Sequence, residues 1–510
     1  MWYGTFRTLG YTIRRPYATC ATKAERFVKT IDPSTLPRGY LVSSTYAGIK
    51  NAIRPVTSTN EPSAATTNVP HPQEAPKPDV ALIVSSVPAA IAGTFTTNVF
   101  KAAPVVHATT ALKAAGPNAR VRAILTNSGC ANAVTGQQGL EDTQTLVNRV
   151  QALLSPRNQN AIPTYEQDAR SSSTDVLMMS TGVIGVRLPV AHIQRCLEHL
   201  AAPSILQSHP DAWLEAARAY MTTDTFPKIR TRQFILGNRR CSIVGIDKGA
   251  GMIHPRMTRS GGQLHATLLG VFATDAPISS ATLQRCLDEA VRVSFNCISV
   301  DGDMSTNDTI LALANGQAPF VDLDCTDTPN EWTETEHPDM VNKFAEELKS
   351  LCIEMSHLIV RDGEGAEKFV QVHVRNAGTY EQAHAIASSI STSALVKCAM
   401  HGEDANWGRI LCSAGYASLP ASTPAWTLDP SKVTVTFLPP PHQRDDLASL
   451  PTLVNGVPQA VNETQAKKLL GYEDIYVDVD LQGGSWGSQG RSEATYWTCD
   501  FSKEYITVRW

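Results

Sequence analysis

Strand-type and helix-type segments alternate along this chain, and that interleaving limits the possible folds more than any single motif does. "DVALIVSS" and "RVRAILTNSG" are short apolar runs that end in small polar residues, as strands feeding a loop or a helix do. "VQVHVR" alternates like a half-buried strand. Between such runs, "GLEDTQTLVNRVQALL" repeats Leu140, Leu146, Val147, Val150 and Leu153 at near-helical spacing. "ATLQRCLDEAVRVSF" and "VNKFAEELKSLCIEM" carry the same period. Interspersed elements of this kind predict an α/β or α+β class. With 510 residues the chain is long enough for more than one core or lobe, and no internal repeat is visible. Residues 51–78 are rich in Pro, Thr, Ala and Asn without periodicity, which reads as a surface insertion or linker. The acid-rich stretch 322–339 reads as a solvated loop.

Charge excludes some functions. A net charge of −4 supplies no basic surface for nucleic acid and none for a membrane. No apolar stretch approaches the ~18 residues a membrane span needs. Eleven dispersed cysteines without a CxxC pair argue for a reducing compartment rather than a disulfide framework. The first residues differ in kind: Arg7, Arg14, Arg15 and Lys23 appear with no acid before Glu25. That composition fits a mitochondrial transit peptide or a basic tail, and composition alone leaves both open.

Several loops could carry chemistry. "GGQLHATLLGVFATDAP" sets Thr267 at the head of an apolar run behind a glycine-rich loop; taken alone, a β-branched residue there is an ordinary strand residue. In "DVLMMSTGVIGVRLP", Thr181, Gly182 and Gly185 form a turn able to aim N–H groups at an oxyanion. "GIDKGAGMIHP" places Lys248 where a cation could reach an anionic ligand, and "RDGEGAEKF" places Glu364 where a carboxylate could meet an ammonium. "SVDGDMSTNDT" and "GEDANWGRI" are further polar loops, and binding residues favour loops. Each also has a plain reading as a turn or a solvated side chain. P-loop, GxSxG, HExxH, zinc and GxGxxG patterns are absent.

Taken together, these loops resemble one family, the ornithine acetyltransferases, which are the bifunctional glutamate N-acetyltransferases of arginine biosynthesis, in their mitochondrial, fungal-type form. The matching stretches run in order: "LPRGYLVSSTYAGIK", "ALIVSS", "GTFTTNVFKAAPV", "ILTNSGCANAVTG", "LMMSTGVIG", "MTTDTFPK", "KGAGMIHP", "ATLLGVFATDAP", "SVDGDMSTNDT", "RDGEGAEKF" and "NWGRI". The resemblance implies an α/β layered sandwich of β-sheets flanked by helices, in a self-cleaving, N-terminal-threonine architecture. It implies cleavage between Ala266 and Thr267, dividing the chain into a leader at 1–35, an alpha chain at 36–266 and a beta chain at 267–510. Thr267 becomes the nucleophile of a ping-pong acetyl transfer. Thr181 and Gly182 become the oxyanion hole, and Thr222, Lys248, Thr267 and Glu364 bind substrate. Lys248 is assigned to the substrate α-carboxylate and Glu364 to the ornithine ammonium.

The same resemblance implies N-acetylornithine, glutamate and acetyl-CoA as substrates, acetyl-CoA being a co-substrate, with no bound cofactor or metal. It implies a heterodimer of the two fragments, a dimer of heterodimers, and a place in the mitochondrial matrix. Two stretches depart from the family pattern. Extra residues, "TRSGGQLH", precede the "ATLL" stretch, and the end, "EYITVRW", replaces the Asn…Tyr-Ser/Thr segment that closes the family's pocket. Two other functions fit the same residues: a self-processing amidohydrolase or aminopeptidase of similar fold, and an uncleaved, non-catalytic paralogue.

Overall fold

The computed structural model describes residues 21–53, 76–155, 175–259, 268–322, 331–418, 428–483 and 492–507. Among them, nine strands form one mixed sheet: β1 (Tyr40–Thr45), β2 (Val80–Thr96), β3 (Arg120–Asn127), β4 (Val176–Ser180), β5 (Lys228–Leu236), β6 (Arg239–Lys248), β7 (Met257–Thr258), β8 (Leu269–Thr274) and β10 (Thr309–Ala314). Their path is β4-β3-β2-β10-β8-β6-β5, with β1 and β7 pairing β2. A second sheet of seven strands holds β9 (Ile298–Ser299), β11 (Phe369–Ala377), β12 (Thr434–Leu438), β13 (Leu450–Val454), β14 (Val457–Pro458), β15 (Asp474–Asp480) and β16 (Ser492–Cys499). The expected layered α/β architecture is what the chain adopts.

The helices fill the layers. Helix Pro338–Arg361 lies between the sheets, contacting β5, β6 and β16. Its His357 ring meets Phe369 and Trp497, at centroid distances of 5.2 and 4.5 Å. Because side chains alternate along a strand, Tyr496 and Thr498 face the other way, toward helix Tyr380–Thr392. There Thr498 Oγ1 donates to Ser391 O at 3.0 Å. Helices Ala103–Ala115 and Pro210–Tyr220 pack into the core on the other side of the first sheet. The three helices anticipated from spacing are present. In Gly136–Leu154 the buried stripe also takes in Asp142 and Thr143, while Leu140 and Leu153 are only partly covered.

β2 decides where the site forms. A straight strand of its length would hold its ends on the order of 50 Å apart. The register with β3 shifts between Val84 and Ala89, around Pro88. A bulge there bends the strand, and groups beyond its two ends meet. Asn307, next to the β10 start that pairs with Phe95, donates from Nδ2 to Ser180 O at 2.7 Å and to Ala131 O at 2.6 Å. Ser180 in turn lies against Asn127, the partner of Val80.

Candidate active site

The convergence brings together the ends of β4, β6, β8 and β10. β8 lies between β10 and β6, with Leu269 opposite both Thr309 and Lys248. Ala266 and Thr267 lie outside the described residues. Leu268, the next residue, is fully buried, and its N–H donates to Asp308 Oδ1. Asp308 Oδ2 is buried without a hydrogen-bond partner among the described residues, and burial pushes this carboxyl well above the usual carboxylate range.

Thr181 and Gly182 follow β4. Thr181 N–H donates to Asn127 O at 3.0 Å, and Val183 N–H to Gly129 O at 3.2 Å. Gly182 has φ of 129°, and an added Cβ would fall 2.3 Å from the Gly129 carbonyl carbon and 2.6 Å from Cys130 N. Only glycine fits there. Its own N–H has no acceptor among the described residues.

Lys248 ends β6 and is buried, at 3% exposure. Its Nζ donates to Thr181 Oγ1 at 3.3 Å. Burial lowers the pKa of the ammonium, and Asp224 opposes that shift by attraction.

Glu364 sits in the turn after helix Pro338–Arg361, its N–H donating to Ala250 O at 2.8 Å. The carboxylate lies so close to Gly251 that a Cβ there would be 2.6 Å from Glu364 Cδ. Burial raises its pKa, while a bond from the Thr223 hydroxyl and the charge of Lys248 lower it. Glu364 Oε1 is buried and has no partner among the described residues. A carboxylate oxygen left this way is costly unless a ligand donor meets it. Thr222 joins the group through its N–H, which donates to Asp224 Oδ2 at 3.0 Å.

Four of the anticipated residues (Thr181, Gly182, Lys248 and Glu364) therefore lie in one cluster, with Thr222 tethered to it. The loop "GEDANWGRI" does not join them: Asn406 instead caps helix Trp407–Gly415, accepting from Arg409 N–H at 3.1 Å. The C-terminal segment does approach. Gly365 packs so tightly that a Cβ would come within 2.5 Å of Tyr505 N, and the Tyr505 hydroxyl bonds Asp301. Sequence reasoning gave no role to Asp308, Asn307, Asp224, Lys228 or Asp362. The first two stand in "STNDT" and the next two in "MTTDTFPK", both recognised as stretches without a function for each residue.

Comparison with known proteins shows what the whole chain is similar to. A family model described as "ArgJ family" matches residues 64–509. A relative from Malassezia globosa, "Arginine biosynthesis bifunctional protein ArgJ, mitochondrial", is 99% identical over all 510 residues of both chains. A relative of the same name from Postia placenta is 48% identical over 84% of this chain and 87% of its own. A solved structure titled as ornithine acetyltransferase complexed with ornithine, from Mycobacterium tuberculosis, is 28% identical over 44% of this chain and 95% of that one, with a TM-score of 0.31.

Proposed function

The chain belongs to the ArgJ family, and from that premise we propose that it is a bifunctional acetyltransferase of mitochondrial arginine biosynthesis. It moves acetyl from N2-acetylornithine to glutamate, giving ornithine and N-acetylglutamate, and it also acetylates glutamate from acetyl-CoA. One observation supports the reading most: a buried ammonium, Lys248, stands 3.3 Å from the Thr181 hydroxyl, with a half-satisfied carboxylate, Glu364, in its field. An amino acid with a side-chain amine carries the complementary charges.

In this mechanism the chain cuts itself between Ala266 and Thr267. The freed α-amino group, with an ordinary pKa of about 7.7–8.0, takes the proton of the Thr267 hydroxyl as that oxygen attacks the acetyl carbonyl. The Gly182 N–H and the Thr181 group steady the tetrahedral oxyanion, each such donor contributing roughly 3–4 kcal/mol. Ornithine leaves, glutamate enters, and its amine takes the acetyl group from Thr267. One acetyl amide is exchanged for another, so the overall step is nearly neutral. The fragments 36–266 and 267–510 stay together as a heterodimer because two pairings cross the cut, β8 with β6 and β10 with β2. Two heterodimers would then pair.

Acetyl transfer is tested by supplying the purified protein with N-acetylornithine and glutamate. Ornithine and N-acetylglutamate should appear in equal amounts. Acetate released in place of N-acetylglutamate would identify a hydrolase instead.

Two substitutions probe the pocket. Lys248→Met should raise the KM for N-acetylornithine by about tenfold or more, the order expected for a lost charge-assisted bond, while the chain still cuts itself. An unchanged KM removes Lys248 from the site. Glu364→Gln should weaken the use of ornithine as acceptor in the reverse reaction more than that of glutamate, because only ornithine carries the side-chain ammonium. Equal losses would argue against that pairing.

A further inference from the structure

We infer that Asp224, Lys228 and Asp362 form a buried positioning triad that holds the carboxylate-binding and ammonium-binding ends of the site in register. The side chains of all three are fully shielded from solvent. Lys228 Nζ lies 2.7 Å from Asp224 Oδ1 and 2.5 Å from Asp362 Oδ2. The two carboxylates hold the Lys228 ammonium above its usual range, and its charge holds Asp224 below the usual carboxylate range.

What the triad touches points to its role. Asp224 Oδ1 also accepts from Gly249 N–H at 2.8 Å, the residue after Lys248, and Asp224 Oδ2 accepts from Thr222 N–H. Asp362 accepts from Thr225 N–H at 3.0 Å and from its hydroxyl, and stands two residues before Glu364. Three segments distant in sequence, 222–228, 248–249 and 362–364, are thus tied at one point. Each carries or adjoins a residue of the proposed pocket.

A buried ion pair gains little stability over an apolar replacement of similar shape, since desolvation offsets most of the attraction. Its hydrogen bonds, by contrast, fix geometry. Two carboxylates share one lysine, and Asp224 is the largest force keeping the Lys248 ammonium charged, against burial and the repulsion of Lys228. The triad therefore positions Lys248 through the Gly249 N–H, and through Asp362 it sets how far Glu364 stands from it.

This inference rests on the reading of Lys248 and Glu364 as substrate contacts, so wild-type protein assayed alongside separates the two claims. Asp224→Asn keeps the shape but removes the charge and one acceptor. The expected result is a rise of about tenfold in the KM for N-acetylornithine, the order that a small displacement of a binding group produces. The kcat per cleaved, titrated active site should stay within about twofold. A merely structural role predicts the opposite: a lower melting temperature and fewer active sites with KM unchanged, which would overturn the inference. Should Asp224→Asn fail to fold, Asp362→Asn decides, with the same two outcomes read through Glu364. A wild-type protein that transfers no acetyl group would instead defeat the function itself.

Discussion

Thr267→Ala should yield one uncut chain that folds and transfers no acetyl group, with activity down on the order of 10⁴-fold or more, as for other nucleophile removals. A threonine inside a chain has no amine of its own; the α-amino group that serves as base exists only after the bond before it is broken. Autocleavage and catalysis therefore share one hydroxyl, and deleting it removes both. Folding should survive, because the substitution deletes a hydroxyl and a methyl while the neighbouring anchor, from Leu268 N–H to the Asp308 carboxylate, does not involve the Thr267 side chain. Thr267→Ser should still cut, more slowly, since the hydroxyl remains without the methyl that restricts its rotamer. Gel bands and a transfer assay on the same preparations check both. Two fragments and retained activity from the alanine variant would reduce Thr267 to a strand residue.

Gly182→Ala should have the second largest effect. The new Cβ would run into the Gly129–Cys130 peptide, 2.3 Å from Gly129 C and 2.6 Å from Cys130 N, and backbone cannot swing aside as a side chain can. The φ of 129° is a second obstacle for any residue with a side chain. The turn must open, and opening it moves the N–H that would face the oxyanion. We expect kcat to fall about 10²–10³-fold, the cost of one lost donor, with a KM little changed because ground-state binding uses other groups. Gly185→Ala is the control: it too has a positive φ, of 81°, but an added Cβ meets nothing within 4 Å. Steady-state kinetics on the two variants decide. Equal losses would mean that only the stability of the turn matters.

Much of the architecture was legible because periodicity reports burial directly. Leu146, Val147 and Val150 share a face in sequence and share a core in the structure. β11 alternates as its sequence does, with Val370, Val372 and Val374 buried. The site was legible only in pieces. Thr181, Lys248 and Glu364 lie on three segments that no local pattern links; they are joined in space by the Lys248–Thr181 contact and by the bonds of Asp224, Lys228 and Asp362. The glycines after Lys248 read as a loop, and nothing local to them shows that Lys248 closes a buried strand. Asp224 and Lys228 stand four apart, like a surface pair on a helix, and nothing in that spacing announces a third partner at Asp362. Asp308 looks like any loop acid until Leu268 is seen to bond it.

Intact-mass measurement of the purified protein tests the central claim most directly. Two fragments are expected, one ending at Ala266 and one running from Thr267 to Trp510. The second should gain a single acetyl mass on brief exposure to N-acetylornithine and lose it when glutamate is added. An uncut chain, a cut at another bond, or an acetyl group that never appears on the Thr267 fragment would contradict the account.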